Sequence, residues 1–152
     1  MTRILMVCLG NICRSPLAEG ILKSKLPSDG FEVDSAGTSN YHVGGLPDER
    51  SIEVARKYGI DITNQRSRQF VVSDFDNFDL IYAMDTSNYN NIIDLARTIE
   101  DKKKVKLILK ELPDINLVSV PDPYYGGHSG FEHVFQLLND ACGRIAEKIN
   151  GN

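Results

Sequence analysis

Residues 3 to 26 read "RILMVCLGNICRSPLAEGILKSKL", and the pattern changes twice within them. The run "RILMV" (3–7) is short and apolar, as expected of a strand covered on both faces. The stretch "PLAEGILKSKL" (16–26) carries apolar residues at 17, 21, 22 and 26, a helical spacing. Ser15 and Pro16 are its expected cap and first helical position. Between strand and helix, Cys8, Gly10, Asn11, Cys13 and Arg14 crowd into one turn. A buried strand, a tight loop and an immediate helix make the opening of a βαβ unit.

The rest of the chain repeats the alternation. "FEVDSAG" (31–37) reads as a second strand, "FDLIYAMD" (78–85) as a third and "KVKLIL" (104–109) as a fourth. "PDERSIEVARKYG" (47–59) reads as a helix with Pro47 at its start and Gly59 just past its end. "TSNYNNIIDLA" (86–96) reads as a helix capped by Thr86 or Ser87, and "FEHVFQLLNDACGRIAEKI" (131–149) as a long closing helix. Residues 110–129 carry three prolines and two adjacent glycines and read as irregular. The basic run "DKKKVK" (101–106) reads as a solvated helix-to-strand corner. Strands alternating with helices imply right-handed crossovers. The expected fold is α/β: a doubly wound, four-stranded parallel sheet with helices on both faces, in a single domain spanning residues 1–152.

Composition narrows the function. Of 152 residues, 41% are hydrophobic and 25% charged, which suits a globular protein and not a disordered one. A net charge of -4 is a poor match for nucleic acid or an anionic membrane, so neither is an expected partner. An anionic ligand would need a local positive site. The apolar run "ILMVCL" is too short for a signal peptide or a membrane span. Three cysteines, Cys8, Cys13 and Cys142, suit free thiols in a reducing compartment, and the expected location is cytoplasmic. Cys142 lies in the row Phe135, Leu138, Cys142, Ile145, Ile149 and is expected in the core. The cysteine spacing has no second pair, and His42, His128 and His133 show no ligand spacing. No metal or cofactor is expected.

The opening loop carries the chemistry. In doubly wound folds the crevice beyond the first strand is the usual ligand site. A helix beginning near Ser15 aims unpaired N–H groups and the positive end of its dipole into that crevice. Gly10 and Asn11 tolerate positive φ, so the backbone of residues 9 to 15, with Leu9, Ile12 and Cys13 among them, can curl around an oxyanion. Arg14 adds a planar fork matched to two phosphate oxygens. The same N–H groups, dipole and guanidinium favour the thiolate of Cys8 at the mouth of the ring. Cys-x5-Arg-Ser thus binds a tetrahedral dianion and sets a sulfur nucleophile beneath its phosphorus.

"CLGNICRSP" (8–16) closely resembles the phosphate-binding loop of the low-molecular-weight protein tyrosine phosphatases. "DSAGTS" (34–39), "FDLIYAMD" (78–85) and "PDPYYGG" (121–127) resemble further blocks of that family in the expected order. The resemblance implies that Asp122 is the general acid, protonating the leaving phenolate and then activating water. It implies that Ser15 hydrogen-bonds the thiolate and that Asn11 holds the curl of the loop. Tyr41, Tyr124 and Tyr125 are expected to line a deep cleft that favours aryl groups. Tyr124 and Tyr125 also resemble tyrosines that are phosphorylated in some relatives. Cys13 resembles the neighbouring thiol that forms a reversible disulfide with the nucleophile, which would halt oxidation at an early rung. The chain departs from many relatives at Gln65, where a histidine supports the loop; that puts the outer hydrogen-bond network in doubt.

The expected activity is hydrolysis of phosphotyrosine and small aryl phosphates through a phosphocysteine intermediate. The expected partners are phosphotyrosine proteins, and the chain is expected to be a monomer or weak homodimer. Three alternatives share part of this pattern. A protein-arginine phosphatase of the same family resembles this chain but carries threonine at Ile12 and lacks the tyrosine pair. A thioredoxin-coupled arsenate reductase needs a cysteine relay, and residues 14–141 contain no cysteine. A non-catalytic phosphate-binding module would not need Cys8, Arg14 and Asp122 together.

Overall fold

A computed structural model describes residues 1–123 and 127–151, the first two residues of the second segment by their backbone alone. Four strands form one parallel sheet: β1 (Thr2–Cys8), β2 (Phe31–Gly37), β3 (Leu80–Ala83) and β4 (Val105–Leu107), in the order β2-β1-β3-β4. The helices are α1 (Arg14–Lys25), α2 (Glu49–Lys57), α3 (Asp74–Asn77), α4 (Thr86–Ile93), α5 (Ile99–Lys103) and α6 (Gly127–Ile149), with a 3-10 turn at Ile108–Glu111.

Alternation along β1 fills both faces. Ile4, Met6 and Cys8 point to one side, where Leu17, Ile21, Phe131, Leu138 and Ile145 of α1 and α6 pack on them. Leu5 and Val7 point to the other, against Phe70, Phe75, Ile81 and Ile92. All of β1 from Ile4 to Cys8 is buried, as its apolar run required. Cys142 is fully buried in the α1–α6 layer, its thiol pushed up to about 12 by burial. The expected sheet and helix layers are present.

Several boundaries differ from the expectation, each for a local reason. Helix α1 starts at Arg14 with Cys13 as its cap, so Ser15 and Pro16 lie inside the first turn, where a missing proline N–H does no harm. Helix α2 is capped by Asp48, which accepts from Arg50 N, and begins after Pro47. Gly59, at φ 79°, follows its end as expected. Asp85, not Thr86 or Ser87, caps α4, which stops at Ile93. The third strand is shorter than 78–85 because Phe78 closes α3, its N–H bonding Asp74 O. Ile108 and Leu109 wind into the 3-10 turn instead of extending β4, and α6 begins four residues before position 131. The 101–106 corner does join a helix to a strand, but Asp101 is buried and bonded to Arg97.

The order β2-β1-β3-β4 makes the gap between β1 and β3 a switch point: the chain leaves β1 toward β2 and leaves β3 toward β4. The crevice at the carboxyl ends of these two strands is where such sheets hold ligands. Cys8 ends β1 there, and Asp85 follows β3.

Candidate active site

The loop 9–13 is curled by bonds made to its carbonyls from outside. Thr38 N–H donates to Cys8 O at 2.9 Å and Ser39 N–H to Leu9 O at 2.9 Å. Ser67 Oγ donates to Gly10 O at 3.0 Å, Asp48 N–H to Ile12 O at 2.7 Å and Ser51 Oγ to Cys13 O at 3.2 Å. Carbonyls pinned outward turn the peptide N–H groups inward, which is the geometry of an anion-binding nest. Asn11 makes the curl at φ 56°, in the left-handed region. Gly37, at the end of β2, passes so close that a Cβ there would lie 2.7 Å from Leu9 O.

Cys8 is buried at the loop's base, with its sulfur 3.0 Å from Ser15 Oγ. Ser15 in turn accepts from Asn11 Nδ2 at 2.8 Å, and the same nitrogen donates to Ser35 Oγ at 2.9 Å. Asn11 Oδ1 accepts from Arg68 N–H at 3.1 Å, which fixes the direction of the amide. Gln65 donates to Pro16 O at 3.1 Å and so ties down the first turn of α1. The support that Gln65 put in doubt is carried by Asn11, Ser35 and Arg68 instead.

Arg14 is buried and held from one side. Its Nη1 donates to Asp85 Oδ2 at 2.7 Å and to Val120 O at 3.0 Å. Asp85 uses its other oxygen to cap α4, accepting from Asn88 N–H at 2.7 Å. Val120 N–H bonds Met84 O at 2.8 Å and Thr86 N–H bonds Ser119 Oγ at 3.1 Å, which docks the 119–122 segment on the end of β3. Asp122 is thereby brought to the site.

A cavity of about 250 Å³ opens here. Cys8 and Arg14 lie at its base with Leu9, Gly10, Ile12 and Cys13 of the loop; Tyr41, His42 and Asp122 form its walls. Tyr41 is 77% exposed and stands at the rim. Cys13 is half-buried, and burial chiefly, with negative charge from Asp48, Cys8 and Asp122, pushes its thiol up to about 12. Cys8, Cys13 and Cys142 are all free thiols. Tyr124 and Tyr125 lie outside the described residues. Among the described residues, no group of three His, Cys, Asp or Glu side chains is arranged to hold a metal ion.

Sequence reasoning missed four participants: His42, Ser35, the Asp85 clamp on Arg14, and Glu19, whose Oε1 accepts from Ser35 Oγ at 2.7 Å. His42 shows no metal-ligand spacing in the sequence, and its place beside Tyr41 is the available signal.

A thiol at the end of the first strand, an outward-pinned loop, a buried arginine and a carboxylate share one cavity on a doubly wound sheet. Comparison with known proteins gives the family. The profile of the family described as low molecular weight phosphotyrosine protein phosphatase matches residues 3–152. A Synechocystis sp. relative that carries the same family's name is 48% identical over 151 residues, covering 97% of this chain and 96% of its own. The low molecular weight phosphotyrosine protein phosphatase of Schizosaccharomyces pombe is 42% identical, covering 97% and 96%. The crystal structure of a protein tyrosine phosphatase from Entamoeba histolytica with Hepes in the active site superposes at a TM-score of 0.93, with 39% identity and coverage of 99% and 98%. The chain belongs to the low molecular weight phosphotyrosine protein phosphatase family.

Proposed function

We propose that Cys8 is the nucleophile and Asp122 the general acid in hydrolysis of phosphotyrosine on proteins. The observation that carries this reading is the shared cavity: Cys8, Arg14 and Asp122 line one space. The phosphoryl oxygens sit among the loop N–H groups of Leu9, Gly10, Asn11, Ile12 and Cys13, with the free edge of Arg14 bonding two of them. Cys8 attacks phosphorus, the P–O bond to the phenol breaks, and Asp122 gives its proton to the departing oxygen. Asp122 then takes a proton from water as that water attacks phosphorus. Inorganic phosphate forms, and the Cys8 thiolate leaves with a hydrogen bond from Ser15.

Tyr41 and His42 line the cavity, and in this reading their rings pack against an aryl group. The depth of Cys8 beneath them favours the long reach of phosphotyrosine over phosphoserine. The single domain works as a monomer or weak homodimer without cofactor. Free cysteines suit the cytoplasm, and no described helix is long and apolar enough to cross a membrane. Cys8→Ser tests the assignment: steady-state turnover of an aryl phosphate should vanish while inorganic phosphate still binds, and substantial residual turnover would remove Cys8 from the role.

A further inference from the structure

The segment 116–122 carries Asp122 to the cavity without a helix or strand of its own. Residues 116–118 make no backbone hydrogen bond among the described residues. The chain is caught at the next two. Ser119 Oγ accepts from Thr86 N–H at 3.1 Å. Val120 N–H donates to Met84 O at 2.8 Å, Val120 O accepts from Arg14 Nη1 at 3.0 Å, and the Val120 side chain is buried in the α1–α6 layer. Thr86 opens α4, so its N–H is a helix-end donor with no partner inside the helix. Asp85 takes the Asn88 N–H of the same turn, and Ser119 takes the Thr86 N–H from outside.

Beyond Val120 the backbone is stiff. Pro121 fixes its own φ at about −65°. A residue that precedes a proline is pushed toward extended backbone, which applies to Val120 before Pro121 and to Asp122 before Pro123. The far end rests on α6, where a Cβ on Gly130 would lie 3.1 Å from Pro123 O. Asp122 is thus held between two fixed points, and neither Ser119 nor Pro121 lines the cavity.

We propose that Ser119 and Pro121 are positioning residues for the general acid: Ser119 ties the segment to the first turn of α4, and Pro121 transmits that fix to Asp122. The inference rests on Asp122 being the general acid. A proton donor must stay within about 2.6–3.2 Å of the departing oxygen. Slack in the segment therefore costs protonation of the phenolate, and a poor leaving group feels that loss most. Binding of the phosphoryl group uses the loop N–H groups and Arg14, which keeps its bond to Asp85, and is left unchanged.

The test compares wild type, Ser119→Ala, Ser119→Thr and Pro121→Gly, each with and without Asp122→Ala. The readouts are kcat/KM for phosphotyrosine and for nitrophenyl phosphate, and the inhibition constant of inorganic phosphate. Ser119→Ala should lower kcat/KM for phosphotyrosine by about 2- to 10-fold, the worth of one hydrogen bond. Pro121→Gly should lower it by about 2- to 5-fold, the worth of one restricted backbone position. Nitrophenyl phosphate turnover and phosphate inhibition should stay at the wild-type level in both. Ser119→Thr keeps the accepting oxygen and should restore the wild-type ratio of the two substrates. In the Asp122→Ala background neither substitution should change that ratio further, a result that a merely structural role would not produce. A loss equal on the two substrates, a loss that persists without Asp122, or wild-type rates in both Ser119→Ala and Pro121→Gly would overturn the proposal. If one of these variants does not fold, the other decides. An Asp122→Ala protein with the same deficit on both substrates would instead overturn the general-acid assignment itself.

Discussion

Arg14 and Asp85 form a nearly buried ion pair, Nη1 to Oδ2 at 2.7 Å, in which the aspartate also caps α4 through its other oxygen. One carboxylate thus fixes both the Arg14 guanidinium and the helix that follows β3. Removing it leaves a buried charge without its partner, which costs about 3 kcal/mol or more, and a helix without its cap, about 1 kcal/mol. Asp85→Ala should therefore lower the unfolding free energy by several kcal/mol and weaken inhibition by inorganic phosphate at least about tenfold. Asp85→Asn, which can still cap, should lose less stability but a similar share of phosphate binding. Denaturant titration and phosphate inhibition measure the two effects separately; unchanged phosphate inhibition in both variants would show that Arg14 holds its pose without Asp85.

Gly37→Ala should damage the loop from beneath. The added methyl would lie 2.7 Å from Leu9 O and 3.1 Å from Gly10 C, both backbone atoms with little room to give. Overpacking of this kind costs about 1–3 kcal/mol, and here the strain falls on the backbone of the 9–13 loop. The expected result is a raised KM for aryl phosphates and a lower melting temperature, read from steady-state kinetics and thermal unfolding.

Cys13 should close a disulfide with oxidised Cys8 only slowly at neutral pH. Attack on a sulfenic acid requires the thiolate, and the Cys13 thiol is pushed up to about 12. Its thiolate fraction, and so its protective effect, should rise about tenfold per pH unit through the range below that value. After mild peroxide, reductant should rescue wild type better than Cys13→Ser, with the gap widening from pH 7 to pH 9. Equal recovery of the two proteins at every pH would leave Cys13 as a packing residue of the loop.

Asp122→Ala should slow phosphotyrosine more than an activated nitrophenyl ester. Tyrosine's phenol, with a pKa near 10, is a poor leaving group without a proton, and general-acid help is worth about 100- to 10,000-fold. A uniform deficit across the two substrates would make Asp122 a turn residue.

What the sequence revealed follows the range of each interaction. Cys8, Gly10, Asn11 and Arg14 were legible because their spacing lies within one turn and imposes its own geometry. The Ser35–Asn11 bond spans 24 positions and the Ser35–Glu19 bond 16. Both depend on the register that sets Met6 beside Ser35 and Cys8 beside Gly37, which no local pattern announces. The α4 cap moved to Asp85 because that residue already faced Arg14, whereas Thr86 and Ser87 offered equally good capping side chains by type. Strand β3 is shorter than "FDLIYAMD" because Phe78 and Met84 continue the apolar run beyond the residues that find ladder partners.

Capture of the phosphoryl group in mid-turnover tests the Cys8 assignment most directly. Wild type mixed with excess aryl phosphate and rapidly quenched should yield, by peptide mass spectrometry, a phosphoryl group on Cys8. Cys8→Ser should yield none and should not turn over. A phosphoryl group found on His42 or Asp122 instead, or turnover by Cys8→Ser, would contradict it.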